Sequence, residues 1–152
     1  MDTKAVTGLL LIERVLLLKS LSIFRDTPEN ILAEIVHLMV EVQAHEGKAI
    51  VREGEPGNCM YIIQEGKVSV KKQHQLLASL GEKEFFGELS LLDTETRSAT
   101  VVADSDCILF RIDQEPFYDL MESRPEVVRE LFKILSKRIR SLNQQLLGPA
   151  SR

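Results

Sequence analysis

Between Val40 and Ile112 the chain is cut into short apolar-rich runs, and this segmentation constrains the fold more than any other feature. Val40–Ala44, Ala49–Arg52, Met60–Gln64, Lys67–Lys71, Leu76–Leu80, Thr100–Ala103 and Cys107–Ile112 each read as a strand. The breaks between them carry turn chemistry: Glu46-Gly47-Lys48, Glu53 to Asn58 with two glycines and Pro56, Glu65-Gly66, Gln73-His74 and Asp104-Ser105-Asp106. Short strands at close, regular intervals predict an antiparallel β-barrel or jelly roll.

Helical periodicity flanks this region. Val6 to Lys19 predicts a helix that is apolar nearly all round, so more than one side must be covered, by the chain's own core or by a partner. A second helix is predicted from Asp26 or Thr27, with Pro28 in its first turn and Ile31, Leu32, Ile35, Val36 and Met39 on one face. After Ile112, Asp113 is placed to cap a short helix containing Phe117, Tyr118, Leu120 and Met121. Ser123-Arg124-Pro125-Glu126 then reads as a capping box. It opens a long helix to about Leu147, stopped by Gly148 and Pro149, with Gly148–Arg152 expected as a mobile tail. In the long helix Val128, Phe132, Leu135, Ile139, Leu142 and Leu146 form a heptad seam that can meet the barrel, a second copy, or both. The fold class expected is α+β: a jelly roll with N-terminal helices and a C-terminal helical lid. At 152 residues this is one domain, with a helical lead-in at 1–39, the barrel at 40–112, and the lid and long helix at 113–148.

Bulk properties exclude several classes of function. A net charge of −4 gives no overall pull toward nucleic acid or acidic membranes. Arg129, Lys133, Lys137, Arg138 and Arg140 cluster on the long helix, and a solvated amphipathic face accounts for them better than a nucleic-acid or membrane contact would. Glu13 and Arg14 interrupt the apolar run Val6–Leu18, which falls short of the ~20 residues of a membrane span and lacks a signal peptide's cleavage site. A cytoplasmic location, or the cytosolic part of something larger, is expected. Cys59 and Cys107 sit in apolar strand-like runs and read as buried free thiols, a disulfide requiring that the fold bring them together. His37, His45 and His74 are scattered without metal-ligand spacing, and no nucleophile–base pair or P-loop appears, so neither a metal nor catalysis is expected.

The chemistry concentrates in Phe85–Thr100, FFGELSLLDTETRSAT. Gly87 lets a backbone approach a ligand closely. Glu88 can accept from a ribose hydroxyl, or sit as a solvated acid at a helix start. Leu89 to Leu92 can form one helical turn. Arg97 offers a forked, permanent charge to a phosphate, or pairs with Asp93 or Glu95 on the surface. Ser98 adds a hydroxyl beside it.

This stretch resembles the phosphate-binding cassette of the cyclic nucleotide-binding domain family, whose pattern is roughly F-G-E-x-[A/S]-L followed after a few residues by R-[A/S/T]-A. Phe86, Gly87, Glu88, Ser90, Leu91, Arg97, Ser98 and Ala99 match it. Upstream, REGEPGNCMYIIQEGKVSV resembles the family's barrel signature, with Gly54, Gly57, Tyr61 and Gly66 on its expected positions. These glycines read as turn residues with positive φ and no ligand role. The resemblance implies that Glu88 takes the ribose 2′-hydroxyl, that Arg97 and Ser98 take the cyclic phosphate, and that backbone around Gly87, Leu89 and Ser90 helps hold both. It departs from the family at Glu82-Lys83 and at Thr94 and Thr96, where glycine and proline are frequent, and Asp93 and Glu95 add negative charge.

Ser98 stands where cGMP-preferring relatives often carry threonine, so cAMP is the ligand expected, with cGMP the alternative and no other cofactor. Val68 and Val70 are the candidate walls of a base pocket, with Leu142 and Asn143 as its lid. The function implied is a cyclic nucleotide sensor that signals through its helices to a partner or attached domain, with a possible homodimer through the long helix. The alternative is a domain of the same fold that works as an interaction module without nucleotide. No nucleic-acid contact by this chain alone is expected.

Overall fold

In the computed structural model, residues 10–93 and 95–147 are described. Two helices, α1 (Leu11–Ser20) and α2 (Glu29–Val36), precede the strands β1 (Met39–Ala44), β2 (Ala49–Val51), β3 (Cys59–Glu65), β4 (Val68–Lys72), β5 (Gln75–Leu80) and β6 (Phe85–Phe86). A single turn, α3 (Leu89–Leu92), leads to β7 (Thr100–Ala103) and β8 (Cys107–Asp113), then α4 (Gln114–Ser123) and α5 (Pro125–Leu147). The strands form two antiparallel four-stranded sheets, β1-β8-β3-β6 and β2-β7-β4-β5, flanked by the helices, as in a jelly roll.

The central strands β3 and β8 read as solid apolar runs because both of their faces are buried. Met60, Ile62, Phe110 and Ile112 point toward the helices, packing with Leu18, Phe24, Leu32, Ile35 and Phe117. Alternate residues Ile63, Leu109 and Cys107 point the other way, meeting Val68, Val101 and Ala103 of the opposite sheet. Met60, Ile62, Ile63, Val68, Leu109, Phe110 and Ile112 are fully buried. Each such side chain contributes about 1.5–3 kcal/mol relative to exposure.

All seven expected strands are present, with no end moved by more than one residue. The two-residue β6, paired to β3 through Tyr61↔Phe86 and Ile62↔Phe85, was not among them. Its pairing places the start of the 85–100 stretch against the central strand. Cys59 and Cys107 are buried and free, as expected. Among the described residues no helix is long and apolar enough to cross a membrane.

Several local expectations are corrected. Helix α1 is described from Leu11, and the predicted first residues of that helix, together with Thr94 and the Gly148–Arg152 tail, lie outside the described residues. The capping box at Ser123 does not form. Ser123 is still helical, so its hydroxyl turns back to the Leu120 carbonyl (3.1 Å), while Arg124 claims the Glu126 carboxylate and also bonds Glu34 at 2.6 Å. Asp113 occupies the N-cap of α4 without a side-chain capping bond, because Arg111 holds its carboxylate at 2.7 Å. Gly54 and Gly66 do have positive φ (86° and 100°), but Gly57 is not among the residues with positive φ.

The heptad seam of α5 does not pack on the sheets. Val127, Leu131 and Ile134, one position before the seam, face the core. Phe132, Ile139, Leu142 and Leu146 are exposed. Helix α1 is likewise covered on one side only: Val15, Leu17 and Leu18 are buried, while Leu11, Ile12 and Leu16 are open.

Candidate functional site

The glycine-rich loop after β2 serves as a backbone anvil for Arg97. Gly54 N–H donates to the Arg97 carbonyl (2.9 Å), Arg97 N–H donates to Glu55 (2.8 Å), and Gly57 N–H donates to Glu95 (3.3 Å). A bridge between Pro56 and Thr96 completes the pairing. The REGEPG turn and the segment before β7 thus form a short ribbon that fixes the Arg97 backbone.

The guanidinium is held by two side chains and admitted by two glycines. Nη1 donates to Ser90 Oγ at 3.0 Å, and Nη2 donates to Cys59 Sγ at 3.2 Å. A Cβ on Gly87 would stand 2.6 Å from Nη1, and one on Gly57 would stand 2.8 Å from Nε and 2.5 Å from Ser90 Oγ. Neither position tolerates a side chain without displacing the arginine. Gly57 is therefore a close-approach glycine rather than a positive-φ turn residue, and Gly87 combines close approach with φ +77°.

Arg97 is only 9% exposed, and it takes part in none of the ion pairs among the described residues. The surface pairing with Asp93 or Glu95 does not occur. A guanidinium has five N–H donors in its fork; two are used by Ser90 and Cys59, leaving three. A buried cation without a counter-charge is costly. Here that charge borders a cavity of about 420 Å³. All six ligand candidates, Gly87, Glu88, Leu89, Ser90, Arg97 and Ser98, line it. Asp93 and Glu95 line it as well, which places negative charge at its rim.

Helix α3 owes its place to contacts invisible in its own sequence. Leu91 is buried in the helix-side core. Gln114 Nε2 donates to the Ser90 carbonyl at 2.9 Å, and Tyr118 Oη donates to the Leu92 carbonyl at 3.0 Å. Gln114 N–H in turn donates to Asn58 at 2.9 Å, so α4 ties α3 to the start of β3. Glu88 meets Arg138 of α5 at 3.8 Å, its side chain 24% exposed. Tyr61 stacks on Phe86 at 5.2 Å, one residue before Gly87. Burial pushes the Tyr61 phenol up to about 12, with neighbouring Cys59 adding to the effect.

The base-pocket candidates do not gather at this cavity. Val68 is fully buried in the inter-sheet core, and Val70 packs half-buried against that core. Leu142 and Asn143 are exposed on the part of α5 that leaves the body of the fold. No residue of α5 lines the cavity, although Arg138 reaches Glu88 there. Among the described residues no group of three or more His, Cys, Asp or Glu is placed to hold a metal.

Comparison with known proteins identifies the family and the fold. The family model for the cyclic nucleotide-binding domain matches residues 41–124. A CRP-like cAMP-activated global transcriptional regulator of Mycobacterium tuberculosis is 28% identical over 129 residues, covering 82% of this chain and 58% of the regulator. Human cGMP-dependent protein kinase 2 is 32% identical over 134 residues, covering 84% of this chain but 17% of the kinase. The chain thus spans little more than half the length of the first of these relatives and far less of the second. Among solved structures, the N-terminal domain of a transcriptional regulator from Streptomyces coelicolor superposes with a TM-score of 0.79 at 29% identity, covering 90% of this chain and 96% of that domain. The regulatory domain of Toxoplasma gondii PKA, crystallised with cAMP, superposes with a TM-score of 0.67 at 27% identity, over 72% of this chain and 43% of that one. With the family pattern carried by Gly87, Glu88 and Arg97 at a cavity on a jelly roll, this chain belongs to the cyclic nucleotide-binding domain family.

Proposed function

We propose that the chain is a sensor module that binds a cyclic nucleotide, cAMP in preference to cGMP, and reports occupancy through its C-terminal helices. The observation that carries this reading is Arg97: a buried guanidinium with no carboxylate paired to it among the described residues, beside a cavity of about 420 Å³. A cyclic phosphate brings one negative charge, which the three remaining donors of the fork can receive without a metal. Glu88, on the same cavity, takes the ribose hydroxyl, and Ser98 and backbone around Gly87, Leu89 and Ser90 complete the phosphate end. Ser98 in place of threonine, and the likeness to a regulator named as cAMP-activated, support cAMP. The likeness to a cGMP-dependent kinase keeps cGMP as the competing ligand.

Signal transmission follows from what holds the site in place. Ribose at Glu88 competes with Arg138, and movement of α3 pulls on Gln114 and Tyr118. Both effects act on α4 and α5, so the ligand favours an arrangement in which α5 turns its distal half toward the base. It can do so only by binding that arrangement more tightly. In that state Leu142 and Asn143, with Val70, become the base contacts. The module itself performs no catalysis and acts in the cytosol on an attached or separate effector. The exposed Phe132, Ile139 and Leu142 seam favours a homodimer through α5. That seam also supports the second reading, an interaction module without nucleotide. Thermal melting with cAMP and with cGMP separates the two. A ligand at 100 times its Kd adds ~2.7 kcal/mol to stability, and no shift at millimolar concentration of either nucleotide leaves the interaction module.

A further inference from the structure

We infer that Cys59, outside the cavity lining, is the positioning residue that sets how Arg97 presents its charge, an inference that rests on the nucleotide reading above. Two points fix the plane of the guanidinium. Ser90, at Nη1, belongs to the short turn α3. Cys59, at Nη2, is the first residue of β3, which pairs with β8 on one side and β6 on the other. The thiol is therefore the anchor tied to the central sheet, while Ser90 moves with α3. The same face of β3 supports the approach to Gly87 by stacking Tyr61 on Phe86, and a Cβ on Gly87 would come within 3.2 Å of the Cys59 carbonyl. One strand thus sets both the arginine and the glycine that faces it.

The choice of acceptor has a consequence for binding. A thiol sulfur is a weak acceptor. It orients the fork without supplying the counter-charge that a carboxylate would. Arg97 is held in place without a paired carboxylate among the described residues, which is the state that attracts an anion. An acid at position 59 would instead form a bidentate pair and compete with the phosphate. Cys59 is 6% exposed, so its effect on the ligand passes through Arg97.

The test uses calorimetric titration with cAMP and cGMP, melting of the unliganded proteins, and NMR of the Arg97 side-chain N–H groups. Cys59→Ala weakens binding about three- to tenfold, the loss expected for one hydrogen bond. Cys59→Ser restores it to within about twofold, because a hydroxyl also accepts. Cys59→Asp weakens it more than about a hundredfold while raising the melting temperature of the unliganded protein, a combination that a packing defect would not produce. Wild-type-like affinity in both the Ala and Asp variants overturns the inference. If the wild type binds neither nucleotide, the nucleotide reading fails, and the NMR decides the rest. Arg97 signals that are slowly exchanging in the wild type and averaged in Cys59→Ala uphold the positioning role. Unchanged signals overturn it.

Discussion

Arg97→Ala is the substitution whose effects the structure constrains most closely. In the wild type the guanidinium spends two of its five N–H groups on Ser90 and Cys59, and three remain for a ligand. Hydrogen bonds to a charged group contribute roughly 1.5–3 kcal/mol each. Two such bonds to a cyclic phosphate make the loss about 3–6 kcal/mol, a rise in Kd of about 10²- to 10⁴-fold. The unliganded protein responds differently. Deleting the side chain leaves a cavity and removes the donor from Ser90 and Cys59, but it also removes a buried charge that no ion pair among the described residues compensates. These effects oppose each other, so unliganded stability changes by no more than ~1 kcal/mol, about 2–4 °C for a domain of this size. Scanning calorimetry reads both effects. At 100 times the wild-type Kd the wild type gains ~2.7 kcal/mol, roughly 5–10 °C. At that concentration a variant with a hundredfold weaker Kd gains only ~0.4 kcal/mol, about 1 °C. A variant that kept the full shift would refute the assignment of Arg97 to the phosphate. Arg97→Lys retains the charge but loses the fork, and falls between the two.

Other perturbations address the rest of the site. Gly87→Ala meets both the Nη1 contact at 2.6 Å and a φ of +77°, so it lowers stability by about 1–2 kcal/mol in urea denaturation and also weakens nucleotide binding. Arg138→Ala frees Glu88 from a partly exposed pair, tightening nucleotide binding by up to about fivefold, the effect of ~0.2–1 kcal/mol, as read by titration calorimetry. Tyr61 is held protonated to about 12 by burial and neighbouring Cys59, above its ordinary value of 10.0. Its contribution to stability is complete below pH 10 and is lost as pH rises from there through about 12, which denaturation across that range and ultraviolet titration of Tyr61→Phe will show.

Much of the fold was legible because its breaks are chemical. Gly, Pro, Asn or Asp marked most of the turns, with Gln73-His74 breaking β4 from β5, and β6 escaped because Phe85–Phe86 is too short to show alternation. The candidate ligand residues were legible because they lie within one stretch, Gly87 to Ser98. The residues that hold them in place were not. Cys59 lies 38 residues from Arg97, Gln114 lies 24 from Ser90, and Tyr118 lies 26 from Leu92. Nothing local in a thiol or a glutamine announces such partners. The α5 seam shows a different limit: periodicity identifies an apolar stripe but not what covers it, and the core took the neighbouring stripe of Val127, Leu131 and Ile134. Position 123 looked like a helix start because Ser and Glu stood at the right spacing, yet Arg124 took the glutamate.

The central claim is that this cavity holds a cyclic nucleotide through an arginine with no paired carboxylate among the described residues. Direct titration of the wild-type chain with cAMP and, separately, with cGMP tests it most simply. The account predicts saturable one-site binding of at least one nucleotide, stronger for cAMP, with a heat signal abolished by Arg97→Ala. Absence of binding by both nucleotides at millimolar concentration would contradict it.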